Sequence, residues 1–517
     1  MLIQVYNQGF SVTPASGKET LILRDFTKQL AIFELKKVPP YWRIVKIVKD
    51  YYVAYCKPKQ EFNFPIGRLP ELEKMLRGNN IVYSKNINKP PKGAPADMKS
   101  TGVLVPRDYQ EDPVDNVLNS GDTLKILEIQ TGKGKTAMSL ISMIRFSKRT
   151  LIQLRGGYVE RWLVDLSNKK LFNLKPGCDI VVIGSSKSLI SIINQAKAIK
   201  KGREKGKLPS IIIITNKIMY NLMKEWEQNG KKSSFGIHPR ELYSLLGIGM
   251  KIIDEAHEDK HMNFRSMAYT NVELCVPLTA TIMPESDLER NIMDGYLPVK
   301  LRYNKLKYDA YTHAVAVFYK IDEKHKIKYS EAGKEEYSHN KYELSIMEKK
   351  VLFQDYLEML FTFSYRKIFN NDYRQGHVAI YFMKRTDLCA AFAEYLKRKL
   401  KEKGKGHLRV NFFISETEEK VLYESDVIVT TTESCGTAKD IPNIKDIFCI
   451  RAVGKKSTNE QIKGRARPIK ISPDVEPTIY YFVDTNNPKH LKYHEKKIEA
   501  WTGRVKTHKV ENLGLTL

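Results

Sequence analysis

The chain has 517 residues, with 86 Lys and Arg against 59 Asp and Glu, a formal net charge of +27. With 42% hydrophobic residues, 28% charged residues, 29 Gly and 22 Pro, the composition excludes collagen-like, low-complexity and intrinsically disordered chains. No apolar run reaches the roughly 18 residues of a membrane span, and Met1-Leu2-Ile3-Gln4-Val5-Tyr6 lacks the basic-then-apolar order of a secretion signal. A cytoplasmic protein with no membrane partner is expected. The six cysteines (Cys56, Cys178, Cys275, Cys389, Cys435, Cys449) show no C-x-x-C spacing and read as unpaired, buried thiols. A soluble chain this basic points to a polyanionic partner, because each cation set on a phosphate releases condensed counterions. Charge by itself does not separate DNA from RNA.

Length gives a prior of about three or four domains at ~150 residues each. In chain order, residues 1–86 read as a small α+β module. Trp42–Val48 and Tyr51–Tyr55 are β-rich runs on either side of Lys49-Asp50, which predicts a hairpin. Leu69–Leu76 has apolar residues at helical spacing with Pro70 near its start, which predicts a short helix. Asn88-Lys89-Pro90-Pro91-Lys92-Gly93-Ala94-Pro95 reads as a linker, spanning 87–100. Beyond it, apolar strand candidates at Leu124–Ile129, Ile180–Ile183, Ile211–Ile214 and Met250–Ile253 alternate with amphipathic stretches. The alternation returns at Val378–Phe382, Val427–Thr430, Ile447–Ile450 and Thr478–Val483. Strands separated by helices predict parallel sheets covered on both faces. The expected fold class is therefore α/β, with two tandem lobes at 101–300 and 301–517. Tyr303–Lys349 fits no clean pattern and is assigned to the junction and the start of the second lobe.

Gln130-Thr131-Gly132-Lys133-Gly134-Lys135-Thr136 comes after a strand candidate and precedes a helical stretch. Glycines at 132 and 134 let the backbone N–H groups face a phosphate, Lys135 reaches the β- and γ-phosphates, and the Thr136 hydroxyl can ligate Mg²⁺. The next helix adds its positive end. Ile129 occupies the position of the usual first glycine. Ile252-Ile253-Asp254-Glu255-Ala256-His257 then leads out of a strand into adjacent carboxylates, at the end of an open α/β sheet where ligands bind. Asp254 would hold Mg²⁺ through its water shell, and Glu255 would orient and deprotonate the attacking water. ATP and Mg²⁺ are the expected cofactors.

Asp254-Glu255-Ala256-His257 resembles the signature of the DEAH-type superfamily 2 helicases, and further segments come in that family's order over roughly Val105 to Val483. Pro106-Arg107-Asp108-Tyr109-Gln110 resembles the segment in which Arg107 and Gln110 would contact adenine. Leu278-Thr279-Ala280-Thr281 resembles the hydroxyl-rich link between hydrolysis and nucleic-acid grip. Val429-Thr430-Thr431-Thr432 with Gly436–Pro442 resembles motif V, implying Asp440 on the ribose and Thr432 near the strand. Gln461-Ile462-Lys463-Gly464-Arg465-Ala466-Arg467 resembles motif VI, implying catalytic roles for Gln461, Arg465 and Arg467. The Arg465-to-Arg467 spacing, with Pro468 where a second arginine is commoner, resembles the RNA-sensor branch. Leu151–Gly157 stands where motif Ia falls but lacks its Pro-Thr, and Thr215 stands where motif Ib would contact the strand.

The resemblance implies two RecA-like lobes in which ATP is gripped from both sides, so that hydrolysis opens a clamp on nucleic acid. Tyr158–Trp162, Tyr308–His313 and Phe482–Pro488 extend it to the phage-type branch-migration helicases, in which a small double-strand-binding module precedes the motor. That implies a monomeric DNA helicase acting on duplex or branched DNA, with RNA in hybrids as a further partner, in the host cytoplasm if phage-encoded. Arg43 and Lys46, interleaved with Tyr41, Trp42, Tyr51 and Tyr52, suit nucleic acid. Lys200 and Lys201 belong to a basic run that reads either as a strand contact or as a solvated face. An RNA-directed motor and an ATP-switched binding scaffold are the competing readings.

Overall fold

The computed structural model describes the chain apart from residues 39–42, 97, 99–100, 173, 281, 331–336, 371–375, 415 and 436–440, and describes backbone alone over 32–51. It divides into two compact units, Met1–Leu306 and Lys307–Leu517.

The first unit opens with β1 (Leu2–Val5), β2 (Gly9–Thr13), β3 (Ala31–Val38), β4 (Arg43–Tyr51), β5 (Ala54–Cys56), β6 (Glu61–Pro65) and β7 (Ser84–Ile87). Five of these form a mixed sheet in the order β5-β6-β2-β1-β7, with β7 parallel to β1 and the other pairs antiparallel. The helix expected near Leu69 is present as Leu69–Gly78. The hairpin expectation is corrected. Lys49 and Asp50 lie inside β4, which pairs antiparallel with β3. Opposite Ile32 and Phe33 stand Asp50 and Val48, so Lys49 is the extra residue of a bulge, and a bulge carries the same polar signature as a turn. The stretch 54–56 belongs to the other sheet.

This module shares its interior with the rest of the first unit. One hydrophobic core runs from Phe10, Phe26 and Phe64 through Phe264, Met267 and Tyr296. A Cβ at position 9 would collide with the Ala268 carbonyl, so only glycine lets β2 approach the helix Lys260–Tyr269 this closely.

The rest of the unit is built on β8 (Ile126–Glu128), β9 (Thr150–Leu154), β10 (Ile180–Ile183), β11 (Ile211–Thr215), β12 (Met250–Ile253), β13 (Leu274–Thr279) and β14 (Arg302–Tyr303). All seven are parallel, in the order β10-β11-β9-β12-β13-β8-β14. Their near-continuous Ile, Val and Leu are what burial on both faces demands. β8 and β9 are consecutive in the chain, yet β12 and β13 stand between them in the sheet. That places the C-terminal ends of β8, β12 and β13 side by side.

The second unit repeats the plan with β15 (His313–Lys320), β16 (Val378–Met383), β17 (Val410–Phe413), β18 (Val427–Thr431), β19 (Ile444–Cys449), β20 (Thr478–Asp484) and β21 (Thr507–Thr516). These are again all parallel, in the order β17-β18-β16-β19-β20-β15-β21. The two tandem RecA-like sheets behind a small N-terminal α+β module are thus present. All eight strand candidates correspond to strands. The unclear stretch after Tyr303 contributes β15, flanked by β20 and β21. All six cysteines are free, five buried and Cys178 exposed. Among the described residues, no helix is long and apolar enough to cross a membrane.

Candidate active site

The phosphate loop leaves β8 and turns into the helix Lys135–Phe146. Gly132 and Gly134 have φ of 89° and 84°, the left-handed region in which a side chain would be strained. Gln110 braces this loop. Its Oε1 accepts from the Arg107 backbone N–H at 3.0 Å, and its Nε2 donates to the Lys133 carbonyl at 2.9 Å. An adenine contact by Gln110 would trade away one of those bonds. Arg107 is exposed and donates to the Tyr109 hydroxyl, and the Lys133 ammonium lies 5.2 Å from the Tyr109 ring. Gln130 and Thr131 lie half-buried at the loop's start.

Two strands along, the chain leaves β12 into the acid pair. Lys135 Nζ lies 3.3 Å from Glu255 Oε1, so the lysine and the acid expected to act on the same phosphate face each other directly. Glu255 has φ 44°, unfavourable for a residue with a Cβ. Three bonds hold it there: Asp254 N–H to the Gln153 carbonyl (3.0 Å), Glu255 N–H to Asp254 Oδ1 (3.0 Å), and Ala256 N–H to the Leu278 carbonyl (2.8 Å). Strain held this way aims the Glu255 side chain. Burial, then the neighbouring Glu255 charge, pushes Asp254 above the usual carboxylate range. Burial acts on Glu255 too, but Lys135 and His257 outweigh it and hold Glu255 below its ordinary value.

Further partners fix this loop. Trp162, on the helix Val159–Leu166, donates from Nε1 to Asp254 Oδ2 at 2.7 Å. His257 Nδ1 and Thr279 Oγ1 are 2.9 Å apart, joining the acid loop to the end of β13. Burial pushes His257 down to about 4, so it is neutral at pH 7. Arg155, just past β9, grips Asp259 with Nε at 2.8 Å and Nη2 at 2.5 Å, and reaches Glu258 with Nη1 at 2.7 Å. Asn216 Nδ2 also donates to Asp259, at 2.9 Å. Asn216 opens the helix behind Thr215, so the loops after β9, β11 and β12 share one polar network. Burial raises Glu258 to about 7 despite Arg155. Sequence reasoning missed Trp162 and Arg155 as partners of the acid loop. Their only signal is position, each lying just beyond the strand that neighbours β12.

The carboxylate of Asp254 and the hydroxyl of Thr136 are hard oxygen donors of the kind Mg²⁺ takes. Among the described residues no cation pairs with Asp254, and two acids face one lysine, so the donor set and its charge fit the ion.

In the second unit, Thr432, Gln461 and Arg465 line one cleft of about 300 Å³, together with Phe382, Arg451 and Lys455. Arg465 Nη2 donates to the Cys435 carbonyl at 3.5 Å. Arg467 lies two residues on, where its charge opposes the effect of burial on Tyr311. Lys463 of the same motif is buried, held by Glu460 at 2.8 Å and by the Tyr308 hydroxyl. Asp440 and Thr281 lie outside the described residues, as do Tyr41, Trp42 and the side chains of Arg43 and Lys46 on β4. Thr215 ends β11 on the same rim as the acid loop. Lys200 and Lys201 do not join it. The helix Ser186–Lys200 runs back from the end of β10, leaving both lysines exposed at the opposite rim, where a helix C-terminus favours cations.

Residues 103–283 match the family described as type III restriction enzyme, res subunit. The matched segment covers about a third of the chain. The phosphate loop, the acid loop and the Thr279 link all fall inside the matched segment. No curated protein matches the chain. Among solved structures, it is similar to a fragment assigned as an HsdR subunit of a type I restriction enzyme from Vibrio vulnificus YJ016, at 14% identity over 79% of this chain and 69% of that one, with a TM-score of 0.48. It is similar to the helicase Lhr of Mycobacterium smegmatis, solved with ssDNA and AMP-PNP, at 15% identity over 79% of this chain and 50% of that one, TM-score 0.46. UvsW of phage T4 aligns over 99% of this chain and 100% of its own length at 13% identity, TM-score 0.32.

Proposed function

We propose that this protein is an ATP-driven DNA helicase or translocase that remodels branched DNA (forks, Holliday junctions, R-loops) in replication, recombination or repair. The observation that carries the reading is the cluster of Lys135, Glu255 and Asp254 tied through His257 to Thr279, on adjacent strand ends of a helicase-type domain. The net charge of +27 supports a nucleic acid as the polymer. The resemblance of Tyr158–Trp162, Tyr308–His313 and Phe482–Pro488 to the phage-type branch-migration enzymes supports branched DNA.

The chain's own groups divide the chemistry. The backbone N–H groups around Gly132 and Gly134 cradle the phosphates, and Lys135 exchanges its contact with Glu255 for the γ-phosphate. Freed from Lys135, Glu255 orients a water and accepts its proton. Mg²⁺ bound through Asp254 and Thr136 would neutralise phosphate charge. Neutral His257 passes the state of the acid loop to Thr279. Arg465 and Arg467, with Gln461, are the proposed groups that stabilise charge spreading onto the γ-phosphate, and Asp440 the proposed ribose ligand. Arg43 and Lys46 of the N-terminal module, with Thr215 and Thr432, are proposed to hold the strand. Residues 1–86, 101–300 and 301–517 would then act as nucleic-acid module and two motor lobes.

The test is phosphate release and unwinding over a fork, a Holliday junction, an R-loop, plain duplex DNA, single strands and duplex RNA at matched salt. Stimulation by branched DNA above the others is expected. Preference for duplex RNA, which the Gly464-Arg465-Ala466-Arg467 spacing favours, would transfer the enzyme to RNA. No phosphate release with any polymer would leave only a binding scaffold.

A further inference from the structure

In the second unit the ends of three adjacent strands converge on a single carboxylate. Lys384 comes directly after β16, Thr432 and Glu433 come after β18, and Arg451 lies two residues beyond β19; β16 pairs with both of the others. Glu433 accepts from Lys384 Nζ at 2.5 Å, from Arg451 Nη1 at 2.7 Å and from the Thr432 hydroxyl at 2.9 Å. Arg451 also donates to Thr432. Lys384 is itself well placed, because its backbone N–H and that of Arg385 both donate to the buried carboxylate of Glu343.

Stability does not account for this convergence. The Glu433 side chain is 52% exposed, and exposed ion pairs contribute about 0–1 kcal/mol. What two cations and a hydroxyl do well is bind an oxyanion, and a carboxylate presents the same acceptors as a phosphate. Lys455 and Arg465 line the same cleft, so among its described lining residues Glu433 is the one acid beside the cations Arg451, Lys455 and Arg465, with Lys384 also reaching it. With its carboxylate half-exposed, this cluster suits a polymer crossing the rim of the sheet better than an enclosed mononucleotide.

We propose that Lys384, Thr432 and Arg451 form a seat for a backbone phosphodiester of the bound nucleic acid, and that the Glu433 carboxylate fills this seat until a strand displaces it. Glu433 is then an internal competitor that sets the threshold for strand entry. The proposal rests on the nucleic-acid motor reading and adds to it a site and its regulation.

The experiment measures binding of fluorescent single-stranded and fork DNA to the full chain by anisotropy, from about 50 to 300 mM salt. Glu433→Gln keeps the size and one acceptor oxygen while removing the charge. It is expected to tighten binding about three- to tenfold near 100 mM salt and to steepen the log–log salt slope by roughly one phosphate's worth, ~0.7–0.9. Lys384→Ala and Arg451→Ala are expected to make that slope shallower by a similar amount each. A gain of affinity in Glu433→Gln cannot be mimicked by misfolding, and melting temperatures control for the two alanine variants. An unchanged or shallower slope in Glu433→Gln overturns the proposal. So does a fall in the KM for ATP with the DNA slope unmoved, which would assign the seat to a nucleotide phosphate. Wild-type protein that binds no nucleic acid at all would instead defeat the motor reading itself.

Discussion

Replacing Glu255 by Gln separates the two roles proposed for this side chain. Glu255 occupies Lys135, the proposed ATP lysine, at 3.3 Å, with Lys135 only 10% and Glu255 23% exposed. The bare attraction at that distance, at an effective dielectric of about 20, is about 5 kcal/mol. Most of that is offset by desolvation, and hydrogen bonds to charged groups are worth about 1.5–3 kcal/mol net. Taking the lower end, since both groups retain some water, the amide should release about 1.5 kcal/mol to the competing phosphate. ATP should therefore bind about tenfold more tightly. The same change removes the proposed acceptor of the attacking water's proton, a loss expected to cost about 10²–10⁴ in rate. Equilibrium titration with a fluorescent ATP analogue, alongside steady-state phosphate release, reads both numbers. Weaker nucleotide binding in Glu255→Gln, or turnover within a few-fold of wild type, would refute the reasoning.

The same loop yields three more expected outcomes. Because Glu255 has φ 44°, Glu255→Gly should be about 1 kcal/mol more stable than Glu255→Ala in chemical denaturation, the reverse of the usual order; equal midpoints would show that the backbone relaxes. Removing the indole donor with Trp162→Phe should keep the packing but raise the Mg²⁺ concentration needed for half-maximal turnover about tenfold, and an unshifted titration would show that Trp162 does not position Asp254. The third outcome concerns pH. His257 falls from 6.5 to about 4 on folding, so its contribution is present above 6.5 and lost as pH drops toward 4, where the unfolded chain takes up a proton and the folded chain does not. Glu258 rises from 4.5 to about 7, so its contribution is present below 4.5 and lost as pH climbs through 7. The two slopes oppose each other across the same window. His257→Asn should therefore make melting temperature fall with rising pH, Glu258→Gln should make it rise, and identical profiles would contradict both shifts.

The candidate site was legible because its motifs are local in the chain. A phosphate loop needs its glycines, Lys135 and Thr136 within a few residues, and the acids at Asp254 and Glu255 must be adjacent at a strand end. Strand candidates were legible because doubly buried parallel strands are unbroken apolar runs. Two elements misled for physical reasons: a bulged Lys49 in β4 reads like a turn, and β15, bounded by half-buried His313 and exposed Lys320, hides in a stretch rich in Tyr, Lys and Glu.

What the amino-acid order determined alone was therefore the fold class, and it proposed the candidate nucleotide-binding groups, whose motifs are each encoded within a few residues. What the tertiary structure decided was who stands beside them: Trp162 on Asp254, Arg155 and Asn216 on Asp259, Glu433 between Lys384 and Arg451. Those partners come from separate strand ends, and the spatial order β11-β9-β12 or β18-β16-β19 differs from the order along the chain. Pairing across a sheet is set by which strands pack together, and no local pattern in the sequence carries that choice.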